Sequence, residues 1–300
     1  MRKPKSLRDA VWTTLLWFDL FDQPVSVEEV HRYLFFRKAK LADVRAVLDK
    51  DHRVGCTFGL YFRQGRIGIT FARVRRQWHA SRLWARTLAH RFIFRHAPFV
   101  RFVGVGNTLA FGWPDSTSDI DLFVICDRKR LFTARLVLTC ITHLFNMRRH
   151  GRHVAGRFCL SFFASSKALN LEEIKIDKCD PYLAFWIATL TPVWGNTGRQ
   201  FFRKNDWVRT YFPNLPWPPM HTKIDREKSF ERGGLERLLS GEFGDNFETL
   251  LRNWQLDRAK AKRRNKREKT AVIINHDMLK FHESDRRREL LKKWKGRIEK

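Results

Sequence analysis

The chain has 300 residues, 43% of them hydrophobic and including 26 Phe and 11 Trp, which excludes a disordered or low-complexity protein and supports sizeable cores. Its 59 Lys and Arg against 31 Asp and Glu leave a formal charge of +28, beyond what solubility requires, and predict attraction to phosphate-rich polyanions or an anionic membrane surface. Five scattered cysteines with no C-x-x-C pair argue against a zinc site or a disulfide framework and favour a reducing, cytoplasmic setting.

Residues 7–21 place Leu7, Ala10, Val11, Thr14, Leu15 and Phe18 on one face of a helix. The apolar run 10–18 imitates a signal peptide, but Asp19 and Asp22 follow at once without a small-residue cleavage site. Pro24 breaks this helix, and Ser26 with Glu29 forms a capping-box pattern that starts a second one through about residue 36. Residues 41–48 give a third. Residues 54–62, a Gln64-Gly65 turn and residues 66–70 then read as a two-stranded ribbon. Three short helices and a hairpin in that order predict a winged helix-turn-helix-like module over residues 1–75. Arg45, Lys50, Arg53, Arg63 and Arg66 are available to DNA phosphates. The alternative is a packing module attached to an enzyme.

A basic connecting helix is expected over residues 76–97, with Trp78, Leu83, Trp84 and Leu88 as its buried stripe. Pro98 marks the start of a central unit, residues 98–178. Within it, residues 99–105 form an apolar strand, Gly106 and Asn107 a turn, and residues 108–111 a short helix whose free amides make an anion site. A second strand spans 120–126, a buried helix 129–148, and a third strand 158–164. The helix, interrupted by Arg135 and His143, is too short to span a bilayer comfortably, so no transmembrane segment is expected. Residues 179–300 read as a helical, strongly basic region. It has helices near 182–190, 201–212 and 235–256, a proline-rich linker at 213–219, and basic runs at 259–269 and 285–297. The fold class is therefore α/β (α+β), a mixed sheet with helices.

Chemistry concentrates in VGVGNTLAFGWPDSTSDIDLFVI, residues 103–125. Strand side chains alternate, so Asp119 and Asp121 face one way while Ile120 and Leu122 enter a core. Two adjacent carboxylates repel unless a cation sits between them, and Mg²⁺ that also holds a phosphate resolves the repulsion.

Gly106-Asn107, eleven intervening residues and Asp119-Ile120-Asp121-Leu122 together resemble the signature of the DNA polymerase beta-like nucleotidyltransferase superfamily, a Gly-Ser pair followed by Asp-x-Asp. Leu109, Ala110, Gly112 and Ser118 match accompanying positions, and the close match covers about twenty-five residues. The order of winged helix, nucleotidyltransferase core and helical C-terminus is also similar to a bacterial group carrying this domain. The resemblance implies that Asp119 and Asp121 bind Mg²⁺ and act in catalysis. It further implies that Gly106, Asn107, Thr108 and Ser118 meet the nucleotide, an NTP with ATP foremost, and that an acceptor hydroxyl displaces pyrophosphate. Gly106 would let the backbone approach the triphosphate, and Asn107, standing where serine is usual, would donate its amide to a phosphate oxygen.

The sequence departs from the pattern at a third carboxylate. The matching strand, 157–163, reads RFCLSFF, with Cys159 or Ser161 at the position concerned, and neither is a good Mg²⁺ ligand. Glu172, Glu173 or Asp177, on a neighbouring element, are the alternative third ligands. His143, His150 and His153 lack companion ligands and read as ordinary core or surface histidines, as do His276 and His282. Residues 276–288, HDMLKFHESDRRR, read as an exposed helix start, with substrate phosphate contact as the alternative. The expected function is Mg²⁺-dependent nucleotidyl transfer to RNA, a small molecule or a protein. The rival is a nucleic-acid-binding regulator, for RNA or DNA, built on a degenerate transferase core.

Overall fold

A computed structural model describes residues 3–219, 230–263, 272–281 and 285–299, the side chains of 230, 231 and 259–263 excepted. The first helices follow from their caps. Helix α1 (Leu7–Asp19) and helix α2 (Val27–Arg32) each begin with a capping box, Ser6 with Asp9 and Ser26 with Glu29. Helix α3 (Leu41–Lys50) leads into a ribbon of β1 (Val54–Thr57) and β2 (Leu60–Arg63). Its turn is Phe58-Gly59 rather than Gln64-Gly65, because both residues take positive φ, 52° and 71°, as a tight hairpin requires. Residues beyond 66 leave the ribbon for helix α4 (Ile69–Ala89), followed by α5 (Phe92–His96).

Strand β3 (Val100–Val105), helix α6 (Asn107–Phe111), strand β4 (Ile120–Cys126), helix α7 (Leu131–Leu144) and strand β5 (Phe158–Ser165) form the centre. Helix α8 (Pro181–Thr189), strand β6 (Thr191–Gly195) and helix α9 (Gly198–Lys204) follow. Then come α10 (Phe230–Leu238), α11 (Gly241–Arg263), β7 (Val272–Ile274), β8 (Met278–Phe281) and α12 (Arg287–Ile298).

Six strands make one mixed sheet in the order β6-β3-β4-β5-β8-β7. Strands β4 and β5 run parallel, joined by α7, whereas the other neighbours are antiparallel. Alternation along β4 divides the interior. Ile120, Leu122, Val124 and Cys126 enter a core with α7, whereas Phe123 and Ile125 enter one shared with α1, α8 and α12. The first helices thus do not close on themselves. Trp17 packs edge-on against Phe185 at 5.8 Å and Trp294 at 5.1 Å, and Trp294 also meets Phe35 at 4.6 Å.

Several expectations change. Residues 179–300 contribute three strands besides helices, so the sheet continues past residue 178. Pro192 is accommodated because β6 is an edge strand. Residues 276–288 are not an exposed helix start: they include β8, and Arg287 is 6% exposed. On α4, Trp78 and Leu88 are 56% and 49% exposed, since that helix packs through Ala80 and Thr87 instead. Most of the ribbon-side arginines already have acidic partners. Arg53 pairs with Asp51, Arg66 with Asp19 and Asp22, Arg63 with Asp19, and Arg45 with Glu28. The basic run at 259–269 lies largely outside the described residues, as does His282. Among the described residues, no helix is long and apolar enough to cross a membrane.

Candidate functional site

Backbone bonds fix the start of β4 on both sides. Ile120 N–H donates to Arg157 O at 2.8 Å, Gly156 N–H to Ser118 O at 2.9 Å, and Gly106 N–H to Asp121 O at 3.0 Å. The loop delivering Asp119 is tied internally, with Asp115 N–H donating to Ser118 Oγ and Ser118 Oγ–H to Asp115 Oδ1, both at 3.0 Å. Ser118 therefore shapes the approach to the carboxylates. Asn107 sits at φ 52°, a left-handed conformation that asparagine tolerates better than most residues.

Asp119 and Asp121 come together with Cys159, whose Cα is the register partner of Asp121 across the parallel strands. One ligand atom from each of the three lies within 4.8 Å of the other two, and among the described residues Glu172, Glu173 and Asp177 do not join them. Burial, and then the Asp119 charge, push the Asp121 carboxyl above the usual range, while hydrogen bonds from Asn107 and Cys159 and the nearby Arg149 hold it back. Asn107 thus favours the Asp121 carboxylate form, whereas the resemblance implies a phosphate oxygen as its partner. Burial and the two aspartates push the Cys159 thiol up to about 12. Arg149, placed by its backbone N–H donating to Phe158 O at 3.0 Å, donates from Nη1 to Asp119 Oδ2 at 2.7 Å and lies 3.8 Å from Cys159 Sγ.

Asp121 also lines a cavity of about 400 Å³, together with Asn107 and Thr108. One wall is aromatic: Trp113 stacks on Phe21 at 4.3 Å and on Phe185 at 5.8 Å, and Phe111 lies 4.9 Å from Trp113. The lining also carries Lys280, Asp285 and Arg287. Arg287 donates to Asp180 and Asp285 at 2.7 and 2.6 Å, and Lys280 lies 3.9 Å from Asp285, all with nearly inaccessible side chains. Burial, and then Arg287, lower the Lys280 ammonium to about 8, with Asp285 and Asp180 opposing. Burial opposes ionisation of Asp285, but hydrogen bonding and charge from Arg287 bring it down to about 2. Trp186 and Tyr182 complete the wall beside Asp121.

Gly106 has an explanation the resemblance did not supply. A Cβ there would lie 2.8 Å from Trp186 Nε1, so the turn needs glycine for packing. Sequence reading did not assign Lys280, Arg287 and Arg149 to the site, and only the clustered charges of residues 276–288 signalled the first two. The His150 ring lies 5.4 Å from that of His143 and 5.1 Å from that of His153, and among the described residues these histidines join no group at ligand spacing. The site thus joins a carboxylate pair and a thiol, through Asp121, to an aromatic and ionic cavity. No family model matches the chain, nor does any curated protein or solved structure with which it was compared.

Proposed function

We propose that the chain is a metal-dependent nucleotidyltransferase that moves a nucleoside monophosphate from an NTP, ATP foremost, to an acceptor hydroxyl with release of pyrophosphate. The observation that carries this reading is the opening of Asp121, which stands beside Asp119, into a cavity with a stacked aromatic wall and buried Lys280 and Arg287. A planar base fits against Trp113 and Phe111, and the Lys280 and Arg287 donors, held in place by Asp285 and Asp180, meet phosphate oxygens. Asp119 and Asp121 fit a hard divalent cation such as Mg²⁺, whereas the Cys159 thiol does not. Such a cation, when bound, neutralises phosphate charge. The protein's own contribution is to hold the carboxylates together, exclude water behind the aromatic wall and fix the triphosphate. RNA, a small molecule or a protein is the acceptor.

A second reading, a nucleic-acid-binding regulator on a degenerate core, draws on the thiol at the third ligand position, the Arg149–Asp119 ion pair and the +28 charge. Full-length protein with Mg²⁺ or Mn²⁺ and α-labelled NTPs should transfer label to an acceptor or to itself. Asp119→Ala/Asp121→Ala should lower transfer by roughly 100-fold or more. Equal behaviour of variant and wild type across a broad acceptor panel rules out the transferase. RNA or DNA binding that is steeply salt-dependent and survives loss of both aspartates then favours the regulator.

A further inference from the structure

The three convergent side chains are not a set of hard ligands. Asp119 and Asp121 offer oxygen, and Cys159 offers sulfur, with the ligand atoms within 4.8 Å of one another. Bonds of about 2.0–2.2 Å to oxygen and about 2.3 Å to sulfur around a tetrahedral ion demand edges of about 3.5 Å. Contraction of roughly an ångström, within the reach of side-chain rotation, closes the triangle. A cationic group already sits there: the Arg149 guanidinium bonds Asp119 and approaches the Cys159 sulfur. Its side chain is 47% exposed, so a divalent ion can displace it without opening a core.

Ser161 supplies an independent observation. It is 9% exposed and lies two residues along β5 from Cys159. Its hydroxyl oxygen is buried and has no hydrogen-bond partner. A buried, unpartnered O–H beside a thiol is free to turn toward the sulfur once a thiolate forms, and groups of this kind orient and tune metal ligands.

We infer that Cys159 is the third ligand of this centre, and that the centre takes a borderline or thiophilic divalent cation, Zn²⁺ foremost, in preference to Mg²⁺. This rests on the proposed function only in that Asp119 and Asp121 hold the ion. As the metal–sulfur bond forms, the thiol proton passes to solvent and the guanidinium moves aside. The preference follows from the donors, since Mg²⁺ requires octahedral oxygen whereas zinc accepts sulfur and oxygen together.

The test is titration of chelator-treated full-length protein with Co²⁺ and Cd²⁺, read by sulfur-to-metal charge-transfer absorption, with Zn²⁺ and Mg²⁺ as competitors. One equivalent should give the band, Zn²⁺ should abolish it and excess Mg²⁺ should not. Cys159→Ser should remove the band and weaken Cd²⁺ binding by roughly 100-fold or more, and Ser161→Ala should weaken it about 10-fold. Cys140→Ser, an exposed cysteine elsewhere, should leave it unchanged. Cys159→Asp, whose fold is checked by its melting temperature, should lose the band and bind Mg²⁺ more tightly than wild type. A band that survives in Cys159→Ser, or yields to millimolar Mg²⁺, overturns the inference. Mg²⁺-dependent binding of an ATP analogue that is lost in Asp119→Asn but unchanged in Cys159→Ser, without a wild-type band, sinks the inference and leaves the transferase reading standing. A Cys159-dependent band in a protein that binds no nucleotide with any metal supports the inference and sinks the transferase reading.

Discussion

Gly106→Ala separates two explanations of the glycine beside the carboxylates. Its φ of −120° and ψ of −169° are extended values that any residue adopts, so conformation does not require glycine there. Space does. An added Cβ would meet Trp186 at 2.8 Å from Nε1, 3.1 Å from Cε2 and 3.2 Å from Cζ2, where 3.4–4 Å is ordinary contact. The indole must retreat by about 0.6 Å, but Phe123 and Phe162 flank it, each with its ring centre 5.5 Å away. Overpacking of this kind costs about 1–3 kcal/mol. At roughly 2–3 °C per kcal/mol for a chain of this length, thermal unfolding followed by circular dichroism should shift down by about 2–9 °C. Gly106→Ala/Trp186→Phe, with a smaller ring, should recover much of the loss. A single variant that melts with wild type but binds nucleotide more weakly would refute the packing argument and restore close phosphate approach as the reason for the glycine.

Two further outcomes follow from buried charge. The folded chain holds the Asp121 proton to a higher pH than the unfolded chain, so metal-free stability should fall as pH rises from about 4 through the raised value, then level off. Asp121→Asn should flatten that fall, as measured by urea unfolding across the pH range in chelator. Arg287→Met leaves Asp180 and Asp285, 0% and 4% exposed in their side chains, without their main cationic partner. It should cost about 3–5 kcal/mol in urea unfolding, and Asp180→Asn in the same chain should return part of it.

The local half of this fold was legible, and the long-range half was not. Ser26 and Glu29 mark a helix start because capping acts over three residues. The alternation around Asp119 and Asp121 marks a two-faced strand for a similarly local reason. Strands β7 and β8, of 3 and 4 residues, carry too little pattern to stand out, and β6 contains a proline that reads as a breaker until its edge position is known. Arg287 reaches Asp180 across 107 positions and Arg149 reaches Asp119 across 30, and no periodicity records such partners. The resemblance put Cys159 or Ser161 at the third-ligand position, and the choice of Cys159 and its ligand distance required the register of β4 against β5.

The docking of Trp294 against Trp17 and Phe35, with its Nε1 donating to Thr13 O at 3.1 Å, has a consequence for synthesis. Walls of the cavity come from Phe21, Asn107, Asp121, Tyr182, Lys280 and Leu290, residues far apart in the chain. Translation at about 5–20 residues per second separates Asp121 from Trp294 by on the order of ten to thirty seconds. Throughout that interval the aromatic wall and the early indole have no cover from α12. The nascent chain therefore exposes the Trp17 and Phe35 rings on the side that α12 covers until that helix has been made.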